Sequence, residues 1–286
     1  ESDHQLSKIS EDIKGNDLIL SIDIEKQMAI EEVLKKEIKN AKKYPSAKYY
    51  QGSYIVVSNP NDGGIVALVA MKATEDNFTS DVIGFLTNSY TVGSVVKGAS
   101  HTVAYINGVI DEKTKMTDSC VKLFSQGQKC SWKRLGTLND IDALTYSSNY
   151  FQFISAIKVS GKKYTYNMKF NATEDDFNKY RTVFSSYGLG SKTGIDIYEE
   201  KLGIKGSLVT GDLLLNLSIG QYDTYTPLML NNYIATIANG GSRYQLRLAS
   251  SIVNQEGEKK AVNPPTILNK VGLDEKYMNR IKTGMH

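Results

Sequence analysis

The order of the predicted elements favours an α+β fold, in which helices flank an antiparallel sheet. Short apolar and β-branched segments come first, a long block with helical periodicity follows, and a strand-like segment returns late in the chain. Two of the early segments are separated by a strong turn sequence, as in a hairpin. With 286 residues, the chain is long enough to bury a core in one large domain or two modest ones.

The first part of the chain predicts a strand, a helix and then a hairpin. Residues 17–23 are a short apolar strand, and residues 25–39 carry apolar side chains at helical spacing. Gly52–Ser58 and residues 65–71 are rich in β-branched side chains, which favour strands. The sequence Asn-Pro-Asn-Asp-Gly-Gly at 59–64 is a turn, so we expect these two strands to pair antiparallel.

The later part of the chain is richer in predicted helix. Helical spacing, N-cap residues and C-terminal glycines indicate helices at 95–105, 138–157, 174–187, 227–238 and 274–283. A short strand is predicted at 251–254, and residues 161–173 are expected to form a surface loop or hairpin. Residues 1–14 are polar and are interpreted as a lead-in from an N-terminal pedestal, which leaves a domain at 15–286.

Composition and charge exclude several classes of protein. The formal net charge is only +3, whereas a nucleic-acid-binding domain usually carries a basic stripe. Three histidines and two cysteines without CxxC or HExxH spacing do not predict a metal site, and no other cofactor is indicated. The chain has no GxSxG sequence, which argues against a Ser-His-Asp relay.

The two cysteines, Cys120 and Cys130, lie close together in the sequence. A local disulfide between them would require an oxidising compartment. Two free thiols are the alternative, and the spacing does not decide between these states.

The sharpest chemical signal is the sequence Ser94-Val-Val-Lys97. On a helix these two positions share a face, so the hydroxyl and the amine can meet. A serine is a good nucleophile only when a base removes its proton, and a lysine can be that base when burial lowers its pKa. At a helix N-terminus the serine N–H could also stabilise an oxyanion. The apolar neighbours expected to bury the lysine are Val95, Val96, Ala99 and Val103.

A second signal is the sequence Tyr146-Ser147-Ser148-Asn149, which lies in or at the edge of the helix predicted at 138–157. Ser147 and Asn149 fit an SxN pattern. The Ser147 hydroxyl could relay a proton between the lysine and a leaving group, and the Asn149 amide could hold a substrate backbone. Taken alone, both patterns are common, because serine and asparagine at a helix edge are usually caps.

In this order the segments resemble those of class B penicillin-binding proteins, whose SxxK, SxN and KTG motifs are shared with serine β-lactamases. Residues 15–23 resemble the opening of the transpeptidase domain, and residues 188–196 resemble its GLG-TGID segment. Residues 219–221, 225–227 and 233–241 resemble its IGQ, TP and IANGG segments. The resemblance implies a penicillin-binding/serine β-lactamase-like transpeptidase fold, closest to elongation-type proteins of low-GC Gram-positive bacteria.

The third motif of this family, KTG, lies on a strand, and the chain contains two such strings. The string at 192–194 falls in the GLG-TGID segment, where the family has a turn, and is rejected. The string Lys282-Thr283-Gly284 has the right order, but its surroundings resemble the helix that precedes the KTG strand. It is therefore only weakly supported as a substrate-binding motif, and the C-terminal strands of the domain are expected to be missing.

The resemblance implies a serine D,D-transpeptidase that cross-links peptidoglycan stem peptides and is a target of β-lactam antibiotics. Ser94 would attack the D-Ala-D-Ala carbonyl and bind the acyl group, and Lys97 would accept the proton of Ser94. Ser147 would relay a proton to the leaving amine, and Asn149 would bind the donor peptide. A glycosyltransferase of an elongation or division complex is an implied partner, and no metal or cofactor is implied.

Alternatives of other classes remain open. A serine β-lactamase or β-lactam sensor shares the same motifs, although no credible deacylating base is evident. A non-catalytic scaffold of the same fold is favoured only by the missing KTG strand. The family also implies an extracytoplasmic domain on a single membrane anchor. The sequence has no run of about 18 apolar residues, so we expect that anchor to lie outside it.

Overall fold

A computed structural model describes residues 15–74, 78–197 and 199–286, so the lead-in predicted at 1–14 lies outside the described residues. Runs of short antiparallel strands and runs of helices follow one another along the chain, as expected for an α+β fold. The helices are α1 Ile24–Ala41, α2 Gly84–Thr87, α3 Lys97–Ile106, α4 Asp140–Thr145, α5 Asn149–Val159, α6 Glu174–Ser186, α7 Gly211–Ser218, α8 Pro227–Ala238 and α9 Glu275–Met285. The strands are β1 Asp17–Leu20, β2 Gly52–Ser58, β3 Ile65–Ala73, β4 Phe78–Ser80, β5 Met116–Thr117, β6 Cys120–Lys122, β7 Gln128–Cys130, β8 Thr137–Leu138, β9 Ser242–Tyr244, β10 Ala249–Val253, β11 Lys259–Val262 and β12 Ile267–Lys270.

The predicted hairpin is confirmed as the first two strands of an antiparallel sheet, in the order β2-β3-β4. Its register places Val57 opposite Ala67. Helix α1 packs on this sheet, where Leu34 and Ile38 share a buried apolar cluster with Val69. The helical spacing of the apolar residues in α1 is therefore explained by burial of one face.

The late strands form small antiparallel sheets that return to the start of the chain. Strand β1 pairs with β10, which pairs with β11, while β9 pairs with β12. The N–H of Ile65 donates to the carbonyl oxygen of Arg247 at 2.9 Å, which ties β3 to the returning segment. Residues 251–253 of the strand predicted at 251–254 lie in β10, which ends at Val253.

Helix α3 is the centre of the helical part of the fold. Every residue from Lys97 to Tyr105 is buried, because α4, α5, α6 and α9 pack around this helix. Val103 and Phe184 belong to the large apolar cluster that results. Gly98 permits close approach, since a Cβ atom there would lie 2.7 Å from the hydroxyl oxygen of Tyr233. Polar side chains on α3 are therefore held away from water and need protein partners.

Two predicted helices differ from the structure. The helix predicted at 138–157 is interrupted between α4 and α5. Ser147 has a φ of +55°, which a right-handed helix does not allow, and Ser148 is the N-cap of α5. The helix predicted at 95–105 begins as a 3₁₀ turn over Gly93–Val96 before α3. Helix α7 is not predicted, because its eight residues are too few for a clear periodic pattern.

The two cysteines form a disulfide bond, so the structure decides between the two alternatives in favour of the bridge. Cys120 and Cys130 lie opposite each other on β6 and β7, and this hairpin packs against α5. A bridge with a sequence separation of 10 residues restricts the unfolded chain and stabilises the fold by about 3 kcal/mol. Within the described ranges, no helix combines the length and apolar character needed to cross a bilayer.

Candidate active site

Ser94 lies in the 3₁₀ turn that leads into α3, and this residue is exposed. The N–H of Lys97 donates to the carbonyl oxygen of Ser94, so the two residues of the SxxK motif are one helical turn apart. Gly93 begins the turn with a φ of +60°, and its N–H donates to the carbonyl oxygen of Gly220 at 3.0 Å. The nucleophile candidate is thus presented to solvent at the start of a buried helix.

Two segments that are distant in sequence contact the backbone of this turn. Gly220, in the IGQ segment, has a φ of +74°, and a Cβ atom there would lie 2.2 Å from the carbonyl oxygen of Gly93. The hydroxyl of Tyr233, on α8, donates to the carbonyl oxygen of Val95 at 2.8 Å. The backbone around Ser94 is therefore fixed by two contacts. One requires the absence of a side chain at Gly220, and the other requires the phenol hydroxyl of Tyr233.

The amine of Lys97 is enclosed by the SxN segment. Lys97 is only 2% exposed. Its Nζ atom donates to the carbonyl oxygen of Ser147 at 2.8 Å and to the hydroxyl of Ser147 at 3.0 Å. It also donates to Oδ1 of Asn149 at 2.7 Å. These acceptors match the three donors of a lysine ammonium group.

Burial lowers the pKa of Lys97 to about 8, while the negative charge of Asp118 acts in the opposite direction. Because an ammonium group loses hydration when it is buried, the neutral amine is favoured. The expected apolar neighbours Val96, Ala99 and Val103 are fully buried. Val95 is 41% exposed, so the prediction that it helps to bury the lysine is wrong.

Asn149 is the first residue of α5 and is held from two sides. Its Oδ1 atom accepts from Lys97, and its Nδ2 atom donates to the carbonyl oxygen of Cys130 at 3.2 Å. The structure therefore brings Lys97, Ser147 and Asn149 together, with Ser94 one turn before the lysine. The contact with Cys130 was not predicted. The signal that could have indicated it is the pair of nearby cysteines, because a disulfide across a hairpin fixes the backbone on both of its strands.

The two KTG strings do not lie on strands. Lys282, Thr283 and Gly284 are in α9, and a Cβ atom at Gly284 would lie 2.8 Å from the Cβ atom of Leu144. The helix predicted at 274–283 is therefore confirmed, and Lys282, Thr283 and Gly284 do not form a KTG strand. The physical reason for a glycine at this position is that it allows α9 to pack against α4. The string at 192–194 lies in an irregular segment, where the N–H of Thr193 donates to the carboxylate of Glu200 at 2.7 Å.

The sequence matches a family described as the penicillin binding protein transpeptidase domain over residues 53–286. The chain belongs to this family. It is 35% identical to penicillin-binding protein 2A of Bacillus subtilis (strain 168) over 287 residues, which are 96% of this chain and 40% of that protein. It is 36% identical to penicillin-binding protein H of the same strain over 281 residues, which are 95% of this chain and 40% of that protein.

The fold is also that of this family. Penicillin-binding protein 2B from Streptococcus pneumoniae (strain 5204) superposes with a TM-score of 0.90 at 31% identity, over 96% of this chain and 48% of that one. The chain thus spans less than half the length of the curated relatives named above. It is a class B penicillin-binding protein transpeptidase domain related to those of low-GC Gram-positive bacteria. Within the described parts of the chain, no group of three His, Cys, Asp or Glu side chains is placed to hold a metal ion.

Proposed function

We propose that this domain is a peptidoglycan D,D-transpeptidase that forms an acyl-enzyme on Ser94. The observation that supports this reaction is the buried amine of Lys97, which lies 3.0 Å from the hydroxyl oxygen of Ser147. Since its pKa is lowered to about 8, a useful fraction of this amine is neutral near neutral pH and can accept a proton.

In the first step, the Ser94 hydroxyl oxygen attacks the carbonyl carbon between the two terminal D-alanines of a stem peptide. Neutral Lys97 accepts the hydroxyl proton as the new C–O bond forms. The C–N bond then breaks, and the Ser147 hydroxyl passes a proton from the lysine to the leaving amine. The products are free D-alanine and an ester on Ser94.

In the second step, the amine of a neighbouring stem peptide attacks the ester. The attacking amine loses a proton to neutral Lys97, the C–O bond to Ser94 breaks, and Lys97 returns this proton to the serine oxygen as the new amide cross-link forms. Asn149 orients Lys97 through Oδ1 and contributes its amide group to binding of the donor peptide. A β-lactam would acylate Ser94 in the same way, because its strained amide is attacked by the same oxygen.

The cellular location of the domain and its protein partner belong to the same proposal. The proposal includes an extracytoplasmic domain held at the cell membrane and a glycosyltransferase partner, as the resemblance to class B penicillin-binding proteins implies. The Cys120–Cys130 disulfide is consistent with that location, because such bonds persist in oxidising compartments.

The proposal is tested by incubating the complete protein with a fluorescent penicillin and locating the label by mass spectrometry. We expect the label on Ser94 and none on a Ser94→Ala variant with an unchanged unfolding temperature. Label on a different residue, or no label on the folded wild-type protein, would overturn the proposal.

A further inference from the structure

Two serine hydroxyls from different segments converge on one carboxylate oxygen beside the candidate active site. The hydroxyl of Ser148 donates to Oδ2 of Asp118 at 2.6 Å, and the hydroxyl of Ser131 donates to the same oxygen at 2.7 Å. Ser148 is fully buried, while the other two residues are half-buried. Hydrogen bonds to an ionised carboxylate are about twice as strong as neutral ones, so this junction is a firm one.

The same two hydroxyl oxygens also accept hydrogen bonds from the first turn of α5. Ser131 Oγ accepts the N–H of Asn149 at 3.0 Å, and Ser148 Oγ accepts the N–H of Phe151 at 3.1 Å. The first N–H groups of a helix have no partner within the helix, so these oxygens satisfy them. Because each hydroxyl donates a hydrogen bond to Asp118, a lone pair of its oxygen faces the N–H groups at the start of the helix.

The disulfide holds the two sides of this arrangement together. Asp118 precedes Cys120 by two residues, Ser131 directly follows Cys130, and the two cysteines are joined across the hairpin. The carbonyl oxygen of Cys130 accepts the side-chain N–H of Asn149 at 3.2 Å. Both the backbone and the side chain of Asn149 are thus fixed by one covalently closed hairpin.

Strand β7 of the hairpin is itself anchored to the body of the domain. Lys129 Nζ lies 3.2 Å from Oδ1 of Asp212 and donates to Oδ1 of Asn216 at 2.7 Å, both on α7. Since α7 also packs against α5, the hairpin cannot shift without loss of these contacts. It therefore provides a fixed support for the start of α5.

We infer that Asp118 is a positioning residue, which acts through Ser131 and Ser148 to hold the SxN turn, Ser147–Asn149, against Lys97. This inference rests on the proposed transpeptidase function and adds a residue to it. The charge of Asp118 also opposes the effect of burial on the pKa of Lys97. Asp118 is therefore expected to influence both the geometry and the protonation of the site.

The geometric part is tested by hydrogen–deuterium exchange of the peptides that cover the start of α5. Asp118→Asn and Ser131→Ala are expected to exchange about tenfold faster there, the change that follows from loss of a charge-assisted hydrogen bond. Asp175→Asn, an exposed carboxylate on α6, and Ser160→Ala, at the opposite end of α5, are matched controls that should leave this exchange unchanged. Equal exchange in the wild type and both test variants overturns the inference.

The functional part is tested by the rate of acylation with fluorescent penicillin as a function of pH. Both variants are expected to lower the maximal rate by about tenfold to a hundredfold, as small displacements of catalytic groups do. Only Asp118→Asn should also move the rise of the rate to lower pH, because Ser131→Ala keeps the negative charge. A purely structural role would not separate the two variants in this way.

A double variant, Cys120→Ser with Cys130→Ser, tests whether the disulfide supports the turn. We expect faster exchange at the start of α5 and slower acylation, in the same direction as Ser131→Ala.

If the folded wild-type protein is not acylated at all, the proposed function fails, while the exchange comparison still decides whether Asp118 holds the turn. Faster exchange without any loss of acylation rate overturns the positioning role in the reaction.

Discussion

The Nζ atom of Lys97 lies 2.8 Å from the carbonyl oxygen of Ser147 and 3.0 Å from its hydroxyl oxygen. These residues are 50 positions apart in the chain. They meet because Ser147 has a φ of +55°, which ends α4 and separates it from α5. The contact joins the proposed base to the proposed proton relay.

Replacement of the proposed base should abolish most of the acylation. Lys97→Met is expected to lower the rate of acylation by penicillin by about 10²- to 10⁴-fold, the usual contribution of a positioned general base. The unfolding temperature should change by only a few degrees, because an apolar side chain of similar length avoids burial of a charge. Stopped-flow labelling and thermal unfolding measure the two effects. Lys158→Met, on the exposed side of α5, is the control, and a Lys97→Met protein with near wild-type rate would contradict the assignment.

The pH dependence of the rate should report the same group. Since burial lowers the pKa of Lys97 to about 8, the acylation rate is expected to rise with pH and to level off above about pH 8. A rate that is flat between pH 6 and 9, or that falls across this interval, would show that a neutral lysine is not required. The rate should follow the fraction of neutral Lys97, because a general base acts only in its unprotonated form.

The pKa of Lys97 also predicts a stability effect. Its value is lowered from 10.5 in the unfolded chain to about 8 in the folded protein, so the unfolded state binds more protons between these values. The stabilisation is therefore present above about pH 10.5 and lost as the pH falls through about 8, with a total of about 3 kcal/mol. Denaturant unfolding of the wild type and of Lys97→Met at several pH values isolates this difference. A constant difference would contradict the pKa shift.

The turn at Ser94 should not tolerate a side chain at Gly220. A Cβ atom there would lie 2.2 Å from the carbonyl oxygen of Gly93, at a φ of +74°. Gly220→Ala is expected to cost about 1–3 kcal/mol of stability and to slow acylation at Ser94. Gly240→Ala is a matched control, because its φ is +89° but nothing lies within 4 Å of the added atom. Equal acylation rates in the two variants would show that the Gly93 contact is unimportant.

The buried carboxylate of Asp140 should be important for stability. It is fully buried and accepts hydrogen bonds from Arg280, at 2.6 Å from Nη2, and from Tyr105. Asp140→Asn is expected to destabilise the domain by about 3 kcal/mol, because the arginine loses its charged partner. Asp175→Asn removes an exposed carboxylate and should have little effect. Urea unfolding measures both variants, and similar losses in the two would contradict this role.

The same carboxylate predicts sensitivity to acid. Burial acts to raise the pKa of Asp140, but the hydrogen bonds from Arg280 and Tyr105 outweigh it and lower the pKa below 3.8. Its contribution to stability is therefore present above about pH 4 and is lost as the pH falls through the lower folded value. Acid unfolding of the wild type should consequently begin at lower pH than that of Asp140→Asn when both are compared at equal temperature.

The sequence by itself determined the family and many of the local elements. Thr173 and Thr226 directly precede the helices predicted at 174–187 and 227–238 and act as their N-caps, the first as part of a capping box with Asp176. Such signals are readable because a cap bonds to a backbone group only two or three residues away. The ordered segments from residue 15 onward identified the transpeptidase fold for a similar reason. Each segment is a short run of neighbouring residues, so it can be recognised without knowledge of the tertiary structure.

The tertiary structure decided the features that depend on residues far apart. The break at Ser147 and the disulfide between Cys120 and Cys130 both follow from packing that no local pattern shows. The pKa of Lys97 is the clearest case, because it is set by loss of water around the amine. Neighbouring residues supply the SxxK pattern, but the enclosure that makes this lysine a candidate base comes from elements brought together only by folding.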